Sequence, residues 1–231
     1  MAVSPTVSFE FFPPHNADAE TQLWNVMEKL APLGPAFFSV TYGAGGSTRS
    51  RTEQLVERIH TSMPINPAAH LTCVGVSQAE TETLARSWWE SGIRHIVALR
   101  GDPPKGESSY TPHPNGFENA ADLVAGLRKI ADFEISIAGY PENHPDSPNQ
   151  SADLDNLKRK VDAGATRILT QYFFDNDLFY RFRDAAAATG ITVPIIPGIL
   201  PVTNFAKVVE FSGKCATTVP TSMASQFEGL D

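Results

Sequence analysis

Glu10 stands inside VSFEFFPP (7–14), one carboxylate among aromatics near the start of the chain. Two readings of it are open. On a strand, Ser8, Glu10 and Phe12 share one face and Val7, Phe9 and Phe11 the other. In a parallel barrel both faces are buried, so an unpaired Glu10 is desolvated, its pKa rises, and it can serve as a proton donor. The alternative is a glutamate paired with a nearby arginine. Polar residues then recur where later apolar runs end: Thr41 and Tyr42, His70 and Thr72, Arg100 and Asp102, Tyr140, and Gln171. One such residue is ordinarily a local loop hydrogen-bonder, but consecutive runs ending this way point to a shared polar pocket. The stretch Asn156-Leu-Lys-Arg-Lys160 gives a helix a basic turn. Such turns are commonly solvated surface, yet Arg159 and Lys160 are near enough to grip one phosphate or pyrophosphate.

Other chemistries lack their patterns. The six histidines show no H-x-x-x-H or paired Cys/His spacing, which argues against a metal site. No G-x-S-x-G elbow supports a serine nucleophile. Tyr42-Gly-Ala-Gly-Gly46 follows a strand, but the position three after Gly45 is Thr48, so the dinucleotide fingerprint fails and the stretch reads as a permissive loop. Cys73 and Cys215 are the only cysteines, which argues against a disulfide framework and fits a reducing cytoplasm.

The elements that must position these residues alternate along the chain. Strands are expected at 7–12, 36–42, 68–74, 95–100, 134–140, 167–173 and 194–199. Helices are expected at 19–33, 51–62, 79–92, 119–131, 151–164 and 177–190, several of them ending in Gly. Such alternation, with near-continuously apolar strands, reads as an α/β TIM-type (β/α)8 barrel, taken as one domain over 1–231. Only seven strands are read, and the chain stops at SMASQFEGLD, expected to lie in a helix, before any eighth. The longest stretch without periodicity, GDPPKGESSYTPHPNGFE (101–118), follows the fourth strand, where such folds carry function.

A length of 231 residues, 42% apolar and 19% charged, fits a globular protein with a sizeable core. A formal net charge of −8 disfavours a nucleic-acid partner. No run approaches the length of a membrane span, and the N-terminus lacks the pattern of a secretory signal.

Taken in order, SFEFFPP (8–14), SVTYGAGG (39–46), HLTC (70–73), GIRHIVALRGDPP (92–104), YPENHP (140–145), ADLDNLKRKVDAGA (152–165), TQYFFD (170–175) and IIPGILPVTNF (195–205) resemble the bacterial type of methylenetetrahydrofolate reductase along nearly the whole chain. The resemblance implies a barrel carrying non-covalent FAD. Hydride would pass from NADH or NADPH to the flavin, then to 5,10-methylenetetrahydrofolate, with ping-pong kinetics in one-carbon metabolism. It places the acid that protonates folate N10 at Glu10. Asp102 falls near the flavin pyrimidine edge, where its charge disfavours an anionic reduced flavin. Gln171 would bind the pterin. FAD contacts would come from Thr41, His70, Arg100, Gly101, Asp102, Tyr140, His144, Asp153, Asn156, Arg159 and Lys160, with Thr41 also near the substrate. The last two residues thus become pyrophosphate ligands. Phe211 matches an aromatic that packs on nicotinamide or the folate aminobenzoyl ring. A homo-oligomer in the cytoplasm is implied.

There are departures from the family pattern. Lys207 stands where the enterobacterial type has Gln, and Asn119 replaces a Tyr close to FAD. The 105–119 loop is longer than usual. An eighth strand, a final helix and an arginine expected to contact the folate tail are not found.

Overall fold

The computed structural model describes residues 5–43, 48–103, 106–107 and 109–230. Gly45 and Gly46 of the expected permissive loop lie outside the described residues, as do three positions of the 101–118 loop.

Strands and helices alternate throughout. The first four strands are β1 (Phe9–Phe11), β2 (Phe38–Val40), β3 (Pro67–Thr72) and β4 (His95–Leu99). They are followed by β5 (Glu134–Gly139), β6 (Arg167–Tyr172) and β7 (Ile195–Gly198). The helices are α1 (Ala17–Leu30), α2 (Arg49–Ser62), α3 (Gln78–Glu90), α4 (Ala120–Ile130), α5 (Gln150–Asp162), α6 (Asn176–Ala188), α7 (Phe205–Cys215) and α8 (Thr221–Phe227). The strands follow one another in the sheet in chain order, the α/β arrangement of the TIM-type fold with seven strands among the described residues. No helix among the described residues is long and apolar enough to cross a membrane, and none of their His, Cys, Asp and Glu side chains form a metal-binding group of three or more.

The chain divides into two compact units, Met1–Ser136 and Ile137–Asp231, with the division inside β5. In the first, β1, β2, β3 and β4 pair in parallel, with Glu10 opposite Ser39, Ser39 opposite Ala68, and Ala68 opposite His95. Register partners share a face, so Glu10, Ser39, His70 and His95 project to one side. Phe9, Phe11 and Phe38 pack edge to face on the other. All six residues of β3 are buried. The helices supply Met27, Val56, Ile59, Trp88, Leu123 and Leu127 to the core, all almost wholly buried. In the second unit β6 pairs in parallel with β7, and Leu154, Leu157, Ile168, Phe182 and Ala186 are among its buried apolar side chains.

Helix starts follow their capping residues. Asn16, Asn119, Asn149, Asp175 and Asn204 each accept a backbone N–H in the first turn. Ser77 and Glu80 form a reciprocal capping box on α3. The 19–33 segment, expected as one helix, breaks at Leu30 into a 3-10 turn over Ala31–Leu33. Pro32 lacks the N–H a longer helix needs, and Gly34 at φ 65° ends the turn in the left-handed region. β1 is shorter than expected because the Pro13-Pro14 pair ends the ladder, leaving Phe12 68% exposed. Helix α7 was not among the expected helices, although Asn204 caps its start and Phe205, Val208 and Val209 recur at helical spacing.

Candidate active site

Glu10 sits in the middle of β1, and two side chains reach it from the neighbouring strands. His70 Nε2 lies 3.2 Å from Glu10 Oε2. Ser39 Oγ donates to the same oxygen at 3.4 Å. The His70 side chain is 7% exposed and that of Glu10 53%. Nε2 is within ion-pair distance of the carboxylate but is not aligned for a hydrogen bond, and it has no other hydrogen-bond partner among the described residues. Burial pushes the Glu10 carboxyl up, but contact with His70, the charge of His70 and the Ser39 hydroxyl together outweigh it, and the net pKa is lowered. The expectation of an unpaired acid with a raised pKa is therefore corrected for the ligand-free protein. Glu10 does have a partner, and that partner is a histidine rather than an arginine.

Arg100, Gly101 and Asp102 follow β4. Arg100 Nε donates to the Gly101 carbonyl at 3.2 Å, and its guanidinium lies over the Tyr110 ring, 4.8 Å from the centroid. Tyr110 comes from the long loop and its hydroxyl is 3.5 Å from Cys73 Sγ. The thiol is buried and donates to the Arg100 carbonyl at 3.3 Å. Gly101 has φ 88°, and a Cβ there would meet Val74 Cγ1 at 2.7 Å, so only glycine lets the chain turn here. Asp102, just beyond, is exposed. Thr41 accepts a hydrogen bond at its carbonyl from Thr52 Oγ1 at 2.8 Å, which ties the end of β2 to α2. Thr72 Oγ1 is buried with no hydrogen-bond partner among the described residues.

The second unit gathers most of its candidates on α5 and the loop before it. Tyr140 and His144 meet edge to face with centroids 4.6 Å apart. Asp153 accepts from the His144 backbone N–H at 3.1 Å and from Ser147 Oγ at 3.1 Å, fastening that loop to the helix. Arg159, exposed, donates to Asn156 Oδ1 at 3.0 Å. Lys160 is buried, with Nζ donating to the Ala138 carbonyl at 2.7 Å. Burial lowers its pKa to about 8, with Asp153 opposing and Arg159 adding to the shift. Gln171 Oε1 accepts from the Tyr172 backbone N–H at 3.0 Å. Phe211 stacks on Tyr172 at 6.0 Å, and the Tyr172 hydroxyl lies 3.1 Å from Ser212 Oγ. Asn119, expected beside a cofactor, accepts the first backbone N–H groups of α4.

The structure thus joins Glu10 to His70, Arg100 to Gly101, Tyr140 to His144 and Asp153, and Asn156 to Arg159. Sequence reasoning passed over Ser39, Cys73 and Tyr110. Parallel register could have found Ser39, because a strand aligned with 7–12 puts it directly opposite Glu10. No pattern in 101–118 singles out Tyr110.

Residues 2–231 match the family described as methylenetetrahydrofolate reductase. The chain belongs to that family. It is 49% identical over 225 residues to the 5,10-methylenetetrahydrofolate reductase of Salmonella typhimurium, covering 97% of this chain and 74% of that protein. It is also 38% identical over 234 residues to methylenetetrahydrofolate reductase (NADH) 1 of Arabidopsis thaliana, covering 96% of this chain and 40% of that one. Among solved structures, a Clostridium thermocellum protein described as binding two copies of 5-methyl-5,6,7,8-tetrahydrofolic acid superposes with a TM-score of 0.66 at 15% identity. The match covers 99% of this chain and 76% of that one and shows a shared fold. The resemblance read from the motifs is therefore a family relationship, of the bacterial type.

Proposed function

We propose that this member of the methylenetetrahydrofolate reductase family reduces 5,10-methylenetetrahydrofolate to 5-methyltetrahydrofolate with NADH or NADPH in two alternating half-reactions, with FAD as its resident cofactor. The observation that carries the reading is Glu10: a half-exposed carboxylate in the middle of β1, held by a buried histidine of β3, in a chain of this family.

The residues present fit FAD. Thr72 Oγ1 and Asn143 Oδ1 are buried polar atoms without hydrogen-bond partners among the described residues. On α5, Arg159 is an exposed cation suited to a phosphate, while Lys160 is buried with Nζ on the Ala138 carbonyl. Within the second unit, Tyr140, His144, Asp153, Asn156, Arg159 and Lys160 are the residues that would hold it. When bound, FAD supplies reversible hydride acceptance.

The chain's own groups supply the rest. Glu10 delivers a proton to N10 of the folate, so that the five-membered ring opens to a cationic iminium able to accept hydride. Gln171 presents an amide to the pterin, and Phe211 offers an exposed ring to nicotinamide or the aminobenzoyl group. The Asp102 carboxylate raises the cost of negative charge in a group bound against the Gly101 turn.

The purified protein is expected to be yellow, to bleach on anaerobic addition of NADH or NADPH, and to regain its colour with 5,10-methylenetetrahydrofolate. A colourless protein that fails to take up added FAD overturns the flavin reading. Bleaching with no recolouring by the folate overturns the substrate.

A further inference from the structure

We propose that His70 is a positioning residue for Glu10, and that the two share one proton which moves onto the carboxylate when a bound molecule covers its exposed side. The inference deepens the reading of Glu10 as the acid and rests on it.

The two partners differ in how much water they meet. His70 belongs to a strand buried along its whole length and its side chain is 7% exposed, whereas 53% of the Glu10 side chain faces solvent. The imidazole is thus the fixed member and the carboxylate the one whose surroundings a ligand can change. Both contacts to the carboxylate, from His70 at 3.2 Å and Ser39 at 3.4 Å, fall on Oε2. Neither uses Oε1, which leaves that oxygen to meet a ligand.

Solvent decides where the proton rests. With water on Glu10, its carboxylate stays charged. A ring system laid over the carboxylate removes that water, and the cost of keeping two desolvated charges then exceeds that of a neutral pair. The Nε2–H bond breaks and an Oε2–H bond forms, leaving neutral imidazole and a carboxylic acid, so atoms and charge balance without another reactant. The oxygen and nitrogen must close to about 2.8 Å and the two groups must turn into line for a hydrogen bond. The site would therefore make its acid only when occupied, and solvent would return the proton once the carboxylate is uncovered.

The other groups on this face leave the pair to itself. From β2 come Ser39 and Thr41, and from β3 Thr72, none of which titrates near neutral pH. From β4 come His95, whose Nε2 is 2.7 Å from Ser136 Oγ, and beyond the strand end Arg100 and Asp102, the arginine engaged with the Gly101 carbonyl and Tyr110.

The test follows the Glu10 carboxyl by NMR in protein labelled with carboxyl-13C glutamate, free of ligand, the resonance being assigned by its loss in Glu10→Gln. In the wild type it should titrate below the other glutamates, and in His70→Gln it should move up to join them. An unchanged titration in folded His70→Gln overturns the proposal. His70→Asn replaces that variant should it fail to fold. In the unaltered protein, 15N-labelled His70 and the Glu10 carboxyl should also share an inflection, and independent inflections overturn the pairing. Saturation with 5-methyltetrahydrofolate at neutral pH should bring the carboxyl signal to its protonated position, and a signal that stays that of a carboxylate overturns the transfer. The titration needs neither cofactor nor turnover. A wild type that titrates as expected but never reduces the folate would sink the functional reading and leave the pair standing.

Discussion

In the unit ending at Ser136 the candidate groups project from strands and the turns that follow them, while in the unit beginning at Ile137 most of them sit on α5 and the loop it anchors. The strand-borne set is built for moving a proton: Glu10 is half in water, and its neighbours His70 and Ser39 set its affinity for hydrogen ions. The helix-borne set is built for holding charge. Arg159 is exposed and bonded to Asn156, while Lys160 is buried and tied to the Ala138 backbone at 2.7 Å. One unit keeps a carboxylate more acidic than usual because its contacts with His70 and Ser39 together outweigh its burial. The other keeps an ammonium less basic than usual because burial outweighs its partner. Burial acts on both, and the summed strength of the opposing contacts decides the direction.

The sharpest way to break this comparison is Glu10→Gln. The folate half-reaction should fall by roughly 100-fold or more, as expected on losing a general acid, while bleaching by NADH or NADPH persists. Equal losses in both half-reactions, read by stopped-flow absorbance, would make Glu10 a structural residue instead.

Lys160 gives the next largest effect. Its folded pKa of about 8 lies below the ordinary 10.5, so between those values the unfolded chain binds more protons than the folded one. Stability should therefore rise with pH across that window, by on the order of 3 kcal/mol at most. Urea unfolding at a series of pH values should show this rise in the wild type and its loss in Lys160→Met. Saturating FAD should also flatten it, because a bound phosphate restores the ammonium. A slope identical in the variant would remove Lys160 from the account.

Gly101→Ala tests the turn after β4. A side chain at φ 88° that also meets Val74 should cost about 1–3 kcal/mol, read as a lowered thermal midpoint. Tyr110→Phe is the mildest change. It removes the contact to Cys73 Sγ and keeps the ring under Arg100, so stability should fall by about 1 kcal/mol or less. A larger loss would mean that the hydroxyl, rather than the ring, fastens the loop.

Much of the fold was legible because it rests on local patterns. Strands β3 through β6 are apolar runs whose bounds in the structure fall within two residues of those expected. Helices α1, α3, α4, α5 and α6 begin where Asn, Ser or Asp can cap them. Glu10 was legible as a residue of interest, but the direction of its pKa was not. That direction depends on a histidine sixty residues away in the chain, brought to 3.2 Å only by strand register. Asn119 shows the opposite case, a residue read against a cofactor that the helix it starts puts to use. Lys160 looked like half of a surface cation pair. Helical spacing turned it toward the sheet while Arg159 stayed outside.

Cys73 lies under Tyr110, its thiol pushed up by burial and therefore poor in the reactive thiolate form. Burial and the Tyr110 hydroxyl thus shield this sulfur from alkylation, and the more accessible Cys215 provides the reference rate in the same molecule. The ratio of labelling at the two cysteines therefore reports how well Tyr110 covers the first.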